Sequence, residues 1–232
     1  MHLFYQPDIV NQHQSLSEEE SKHGLKVLRL KPGDFIHVID GIGGIYKCRI
    51  TSTTKRCEYQ IIEKSFQAEK PYALHIAISP TKNQDRIEWF VEKAIEIGVD
   101  KISFMITENT EKSKLRMERI NRKAISAIKQ SGNLWLPKFQ PEISFQQLID
   151  MSNERVKCIA YVNNNHQLHF KELIAQTSAL ILIGPEGDFT KEEINLAVTK
   201  GYHPVSLGKN RLRTETAGII ACHTFNLFYE QP

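Results

Sequence analysis

Two stretches decide how this sequence folds: Ile181 to Ile194, ILIGPEGDFTKEEI, and Ser206 to Ile220, SLGKNRLRTETAGII. Each runs from an apolar strand through a glycine-bearing turn to a helix start, an arrangement that lets backbone approach a small ligand closely. Together they predict the two halves of one pocket. In the first, Leu180 to Ile183 is wholly apolar and is stopped by Gly184 and Pro185, the pattern of a buried strand. Thr190 and Glu193 have capping-box spacing and Phe189 and Ile194 have staple spacing; Ile194, Ala197 and Val198 then mark one buried helical face until Gly201. Only Pro185, Glu186, Gly187 and Asp188 lie between strand and helix. In the second, Val205 to Leu207 and Gly208 repeat the pattern, and Arg213, Thr214, Glu215 and Thr216 stand at the mouth of a long apolar helix, Ala217 to Tyr229.

Working outward, Leu74 to Ile78 predicts a strand. Arg86 to Ile97 predicts a helix with Ile87, Phe90, Val91, Ala94 and Ile95 inward and Gly98 as its stop, and Lys101 to Ile106 the next strand. This βαβ unit calls for a parallel sheet. On the following helix Met117, Ile120, Ala124, Ala127 and Ile128 form an apolar stripe, while Arg116, Arg119 and Lys123 share another face. Phe145 to Met151 is a short helix and Val156 to Val162 a buried strand; the loop Asn163 to His166 is expected beside the first glycine turn. His166 and His169 have a spacing that metal ligands on a helix use, but no third ligand stands near, and no metal site is expected.

Upstream of the linker Gln67 to Pro71 the pattern is strand-turn-strand. Ser17 and Glu20 cap a short helix ending near Leu28, Pro32-Gly33 supplies a type II turn, and Phe35 to Ile39, Tyr46 to Thr51 and Tyr59 to Glu63 are short strands. Residues 1–70 therefore predict a small β module of the barrel kind, and residues 71–232 an α/β domain. The GIGG at Gly41 to Gly44 lacks dinucleotide-fingerprint spacing and has no helix after it, so it is a hairpin loop.

The chain of 232 residues, 41% hydrophobic, can bury a sizeable core. Cys48, Cys57, Cys158 and Cys222 show no paired or metal-ligand spacing, which fits a reducing cytoplasm. No stretch approaches the roughly 20 apolar residues that span a bilayer, and the N-terminus lacks the pattern of an export signal. The net charge of +3 is unevenly placed: Lys112 to Lys138 holds eight Lys or Arg against Glu118 alone, and Lys200 to Arg213 holds four with no acid. Such clusters suit a polyanionic partner.

The pair GPEGDFT, Gly184 to Thr190, and LGKNRLRTETAG, Leu207 to Gly218, resembles the 16S rRNA (uracil-N3)-methyltransferases of the SPOUT superfamily. His23, Val27-Leu28-Arg29, Gly33-Asp34, Lys82, Arg86, Glu88, Lys93, Glu96 and Gly98 also stand where that family's pattern has them, so the resemblance covers nearly the whole chain. It implies a SPOUT-type α/β domain with a C-terminal trefoil knot and mainly parallel sheet, preceded by a PUA-like RNA-binding barrel. It further implies S-adenosylmethionine as cofactor, 16S rRNA in the small ribosomal subunit as partner, and a homodimer with the pocket near its interface. The apolar surface of the last helix, Ile219, Ile220, Phe225, Leu227, Phe228 and Tyr229, is also more than one stripe can hide. The family more often has Arg where Asn133 stands, which leaves any RNA contact at that place open. Other readings within reach of the same residues are a SPOUT enzyme for another RNA position and a ribosome-assembly factor without turnover.

On this reading Gly184, Gly187 and Gly208 let backbone meet the cofactor, Leu182, Leu207 and Leu212 wall the adenine, and Ile183, Pro185, Thr216 and Ala217 complete the site. Arg29, Lys82, Arg86, Arg116, Arg119 and Lys123 are the candidate RNA contacts. Uracil N3 holds its proton well above neutral pH, so its removal must be assisted. Arg213 and Glu215, two residues apart at a helix start, are the candidate catalytic pair: Arg213 to stabilise charge on the uracil oxygens, Glu215 to accept the proton or fix Arg213. The plainer alternatives are that Glu215 complements the helix dipole and Arg213 binds phosphate.

Overall fold

The computed structural model describes residues 2–9, 14–111, 115–162, 168–174 and 177–229. In chain order the elements are β1 (Leu3–Tyr5), α1 (Glu18–Lys26), β2 (Phe35–Ile39), β3 (Gly44–Ser52), β4 (Glu58–Phe66), β5 (Ala73–Ile78), α2 (Gln84–Ile97), β6 (Lys101–Ile106), α3 (Met117–Ser131), β7 (Lys138–Ser144) and α4 (Phe145–Met151). They continue with β8 (Val156–Ala160), β9 (Leu168–His169), a 3-10 turn (Phe170–Glu172), β10 (Ser178–Ile183), α5 (Lys191–Thr199), β11 (His203–Ser206) and α6 (Thr214–Tyr229). They form two compact units: residues 1–69 with 125–136, and residues 70–124 with 137–232.

In the first unit β1 to β4 make one sheet in sequence order, β1 parallel to β2 and the rest antiparallel. β3 alternates strictly: Tyr46, Cys48 and Ile50 are buried while Lys47 and Arg49 point to solvent. The inward side chains join Phe4, Leu16, Ile36 and Val38 in one core. Asp40 organises the hairpin loop, its carboxylate accepting from the amides of Ile42 and Gly44 at 2.9 Å each. A side chain at Gly43 would collide with Trp135, and φ there is 98°, so glycine is required on both counts.

In the second unit seven strands form a sheet in the order β7-β6-β5-β10-β8-β11-β9, every pairing parallel. The five last residues of β10 are fully or almost fully buried because it lies between β5 and β8 with helices over both faces. On one face Leu180 and Leu182 pack with Phe145, Leu148, Ala197 and Tyr202 of the α4 and α5 layer. On the other, α2 and α6 cross so closely that a Cβ at Gly218 would meet the Phe90 ring at 2.5 Å.

Four elements have no counterpart in the sequence reading, one of them the three-residue 3-10 turn. β7 is mostly exposed, so it lacks the apolar run that marks the other strands; β1 and β9 span three and two residues, too short for periodicity to show. α6 begins three residues earlier than the apolar stripe suggests, at Thr214. The β module, expected as a barrel, is a four-stranded sheet among the described residues.

Candidate ligand and substrate site

A cavity of about 450 Å³ opens at the carboxyl ends of β8, β10 and β11, where ligands of open parallel sheets bind. Its walls are residues 160–162, residues 183–186 with Asp188, and the run from Val205 through Thr214 with Ala217. The volume falls in the range of small-molecule sites.

The first wall is knitted tightly. Asp188 adopts φ 62°, a left-handed conformation that Asp tolerates better than bulkier residues. Its carboxylate accepts from its neighbour's amide, Phe189 N, at 2.8 Å and from Val162 N at 3.2 Å, which ties the turn to the end of β8. Asn109 Nδ2 donates to the carbonyl of Asp188 at 3.0 Å. The expected capping box of α5 is present: Glu193 N donates to Thr190 Oγ1 (3.2 Å), Thr190 N to Glu193 Oε2 (2.9 Å), and the second carboxylate oxygen of Glu193 accepts from Glu108 N.

The second wall leans on the first. The Thr214 hydroxyl donates to the Gly184 carbonyl at 3.0 Å from a buried position, and Arg211 donates to the Glu186 carbonyl at 3.2 Å. Gly208 has φ 141° with nothing within 4 Å of where a Cβ would stand, so its backbone faces open space. Only glycine adopts that conformation without strain.

Of the residues assigned to the cofactor from sequence, Ile183, Gly184, Pro185, Leu207, Gly208, Leu212 and Ala217 line the cavity, together with Arg213. Leu182 does not: it is fully buried in the core behind the wall, because alternate residues of a covered strand face the helices. Gly187 does not either; a Cβ there would meet Asn109 at 3.2 Å. At Gly184 a Cβ would press on the Phe189 ring at 3.0 Å, so glycine serves the packing of the turn and only its backbone serves the cavity. Glu186, Asp188, Val162 and Thr214 also line the cavity, although no local sequence pattern marks them as ligand contacts. The signal for Asp188 is only its place in a four-residue turn that must reverse the chain.

Helical spacing divides the start of α6. Arg213, Thr214 and Ala217 face the cavity, as an i, i+4 set must. Glu215 and Thr216 turn instead toward the first turns of α2 and, with Asp85, Arg86, Trp89 and Arg213, line a second, shallower hollow. Arg213 lines both. Arg86 sits between two carboxylates, Nη1 3.8 Å from Glu186 and Nε 4.0 Å from Glu215. Glu215 is 7% exposed, and its Oε2 has no hydrogen-bond partner among the described residues.

The other basic candidates have different fates. Arg119 pairs with Glu88, which is 4% exposed, at 2.8 Å and with Asp85 at 3.2 Å, and Lys123 pairs with Glu92 at 3.1 Å. Lys82 pairs with Glu111 at 3.1 Å across solvent. Arg116 is exposed, and Arg29, in the first unit, holds φ 54°.

Two constellations elsewhere look chemical and are enclosed. Buried His75 contacts Glu154 at 2.6 Å and Ser103 at 2.7 Å, yet Ser103 has no exposed surface. Burial holds the His75 pKa below its ordinary value despite the carboxylate. All four cysteines are buried and none is in a disulfide among the described residues, and burial pushes the Cys48 and Cys158 thiols up to about 12, far from a reactive thiolate. Among the described residues no cluster of His, Cys, Asp or Glu could hold a metal ion, and His166 lies outside them.

An all-parallel α/β sheet with a ligand-sized cavity at its carboxyl edge defines a small-molecule-binding protein of the α/β class. The chain belongs to a family of RNA methyltransferases: the family model described as "RNA methyltransferase domain" matches residues 68–226, and one described as "RNA methyltransferase PUA domain" matches residues 16–62. It is 30% identical over 212 residues to "Ribosomal RNA small subunit methyltransferase E" of Synechocystis sp., covering 88% of this chain and 70% of that one. Among solved structures it is similar to a probable rRNA-methyltransferase from Porphyromonas gingivalis, 39% identical with TM-score 0.92, covering 99% of this chain and all of that one. It is also similar to a Ribosomal RNA small subunit methyltransferase E from Neisseria gonorrhoeae bound to S-adenosyl methionine, 28% identical with TM-score 0.87 over 98% of both chains.

Proposed function

We propose that this protein transfers a methyl group from S-adenosylmethionine to N3 of a uridine in 16S rRNA of the small ribosomal subunit. The observation that carries the reading is the position of Arg213, whose side chain borders both the cavity at the sheet edge and the hollow that holds Glu215. A donor in the first and an acceptor in the second would meet there.

The cavity suits the cofactor by its donor set. Leu207 and Leu212 offer apolar surface to a purine, Glu186 and Asp188 offer carboxylates to cationic groups, and Arg211 offers a cation to a carboxylate. The bound cofactor supplies an electrophilic methyl on a sulfonium. The chain's own work is to hold the uracil in line with it, and such orientation alone recovers on the order of 7 to 11 kcal/mol of the barrier. Glu215 accepts the N3 proton through its unpartnered oxygen, and Arg213 stabilises the charge that spreads to O2 and O4. No metal takes part in this scheme.

The N-terminal unit and exposed bases such as Arg29 and Arg116 grip the RNA in this reading, and the protein works in the cytoplasm as a homodimer. Leu227 and Phe228 of α6, 61% and 45% exposed, support a subunit interface. Among the described residues no helix is long and apolar enough to cross a membrane.

The test is mass spectrometry of nucleosides from small-subunit rRNA of cells with and without the protein, paired with calorimetry using S-adenosylhomocysteine. Loss of 3-methyluridine in the deletion and one binding site per chain are expected. An unchanged nucleoside profile would overturn the assignment of the reaction.

A further inference from the structure

The hollow between α2 and α6 carries more information than its shallow form suggests. Asp85, Arg86 and Trp89 lie on one face of α2, as their spacing of three and four residues requires. Opposite them stand Arg213, Glu215 and Thr216 at the start of α6. Trp89 is 44% exposed although its helix neighbours Glu88 and Phe90 are buried, so a large flat ring is presented at the rim of a polar pocket. At the floor, Glu215 holds a carboxylate oxygen away from water without a hydrogen bond. A buried acceptor left unpaired costs about 1–3 kcal/mol, a cost that a ligand donating a hydrogen bond would remove.

Two arginines, Arg86 and Arg213, line the same hollow as that carboxylate. Arg86 stands 3.8 Å from Glu186 and 4.0 Å from the Oε1 of Glu215, both beyond hydrogen-bond length, so among the described residues its guanidinium N–H groups make ion-pair contacts but no hydrogen bond. Arg213 makes no ion pair among the described residues and is exposed. The pocket therefore offers donor, acceptor, donor. The imide edge of uracil offers the complement: carbonyl, N–H, carbonyl. Cytosine, with an acceptor at N3 and an amino group at C4, would set donor against donor at Arg and acceptor against acceptor at Glu215, and unpaired buried polar groups are what make such discrimination large.

We infer that this hollow is the nucleobase subsite, in which Trp89 stacks on a uracil whose imide edge is read by Arg86, Glu215 and Arg213. The inference rests on the reading of Arg213 and Glu215 given above and adds to it a stacking platform, a second reading arginine and a reason for choosing uracil. Trp89 touches the base and takes no proton; it is a binding and positioning residue. Base stacking on an aromatic side chain is worth enough per base for its removal to cost about tenfold or more in binding.

Trp89 and Trp135 are the two tryptophans of the chain, so Trp135→Phe leaves Trp89 as the only indole fluorophore. With S-adenosylhomocysteine present, titration of that variant with a short oligouridylate should quench its fluorescence saturably. An oligocytidylate should need about tenfold more to do the same. On small subunits lacking the modification, Trp89→Ala should lower kcat/KM for the subunit about tenfold or more, chiefly through KM; Trp89→Phe should restore most of it, and affinity for S-adenosylhomocysteine should stay within twofold. Equal quenching by both oligonucleotides, or no quenching, would overturn the inference, as would a Trp89→Ala enzyme with wild-type kcat/KM. A changed sedimentation coefficient in Trp89→Ala would assign the ring to a subunit interface and overturn it too. Failure of the wild-type protein to methylate those subunits would sink the underlying reading instead, so the two failures are distinguishable.

Discussion

Two basic stretches look alike in the sequence and end differently in the structure. The α3 stretch, Arg116 to Lys123, meets α2, whose acids take up two of its four bases: Arg119 is held by Glu88 and Asp85, and Lys123 by Glu92. The loop from Lys209 to Arg213 meets no carboxylate at ion-pair distance among the described residues; Arg211 donates only to a backbone carbonyl. Arg213 stands at the positive end of the α6 dipole, which disfavours a cation there. A count of lysines and arginines measures neither field nor availability. What matters is whether the fold brings an acid to the base, and that depends on which helix packs beside which.

The largest way to break this comparison is to remove the loop's terminal cation. Arg213→Ala should lower the methylation rate at saturating substrates by about 10² or more, the scale of losing a positioned charge-stabilising group, with cofactor affinity and melting temperature little changed. Glu215→Gln should fall by a similar factor. Raising the pH should partly rescue it, because solvent hydroxide can then take the N3 proton. Wild-type rates in both variants would remove the pair from the mechanism.

The counterpart in the other stretch acts on stability. Arg119→Ala leaves Glu88, 4% exposed, without its partner, and should destabilise the protein by about 1–3 kcal/mol in denaturant unfolding. RNA affinity should stay within twofold. A variant that keeps full stability and loses RNA affinity would show that this base serves RNA after all and would erase the contrast between the stretches.

Salt dependence sharpens the contrast further. Lys209→Ala should reduce the slope of log affinity for RNA against log salt by about one, whereas Lys123→Ala should leave it unchanged. Equal slopes for the two variants would make both stretches phosphate contacts.

The smallest effect is a titration. Hydrogen bonds from Lys93 and from Lys123 hold the Glu92 carboxyl below its ordinary pKa. A carboxylate whose folded pKa is depressed adds stability above its unfolded pKa and loses that contribution as the pH falls through the folded value. Lys123→Ala should therefore raise the Glu92 pKa by part of the shift, Lys93 remaining, and shrink the acid-side loss of stability. An unmoved Glu92 resonance would mean that the pair does not persist in solution.

Much of the site was legible because strand, turn and helix signals are local. The apolar run Leu180 to Ile183, the capping box of Thr190 and Glu193 and the glycine at 208 each follow from the residues beside them, and the cavity lies where their grammar pointed. Leu182 illustrates the limit. A run of apolar residues gives no alternation, so its inward and cavity-facing members cannot be told apart until helices cover both faces of the strand. At Gly184 and Gly187 the structure adds a packing cause that no local signal carries, since the Phe189 ring and Asn109 occupy the space beside them.

By itself, the sequence determined a parallel α/β domain behind a β module, the two glycine turns and the long apolar helix that follows the second of them, because each depends on propensity, capping and periodicity within a few residues. Only the tertiary structure decided that Arg213 borders two pockets, that Trp89 and Arg86 come to face Glu215 from 126 and 129 positions away, and that Arg119 is spent on Glu88. Those outcomes follow from how α2 crosses α6 and α3. A crossing is set by the fit of whole surfaces, down to the glycine at 218 that lets the Phe90 ring pass.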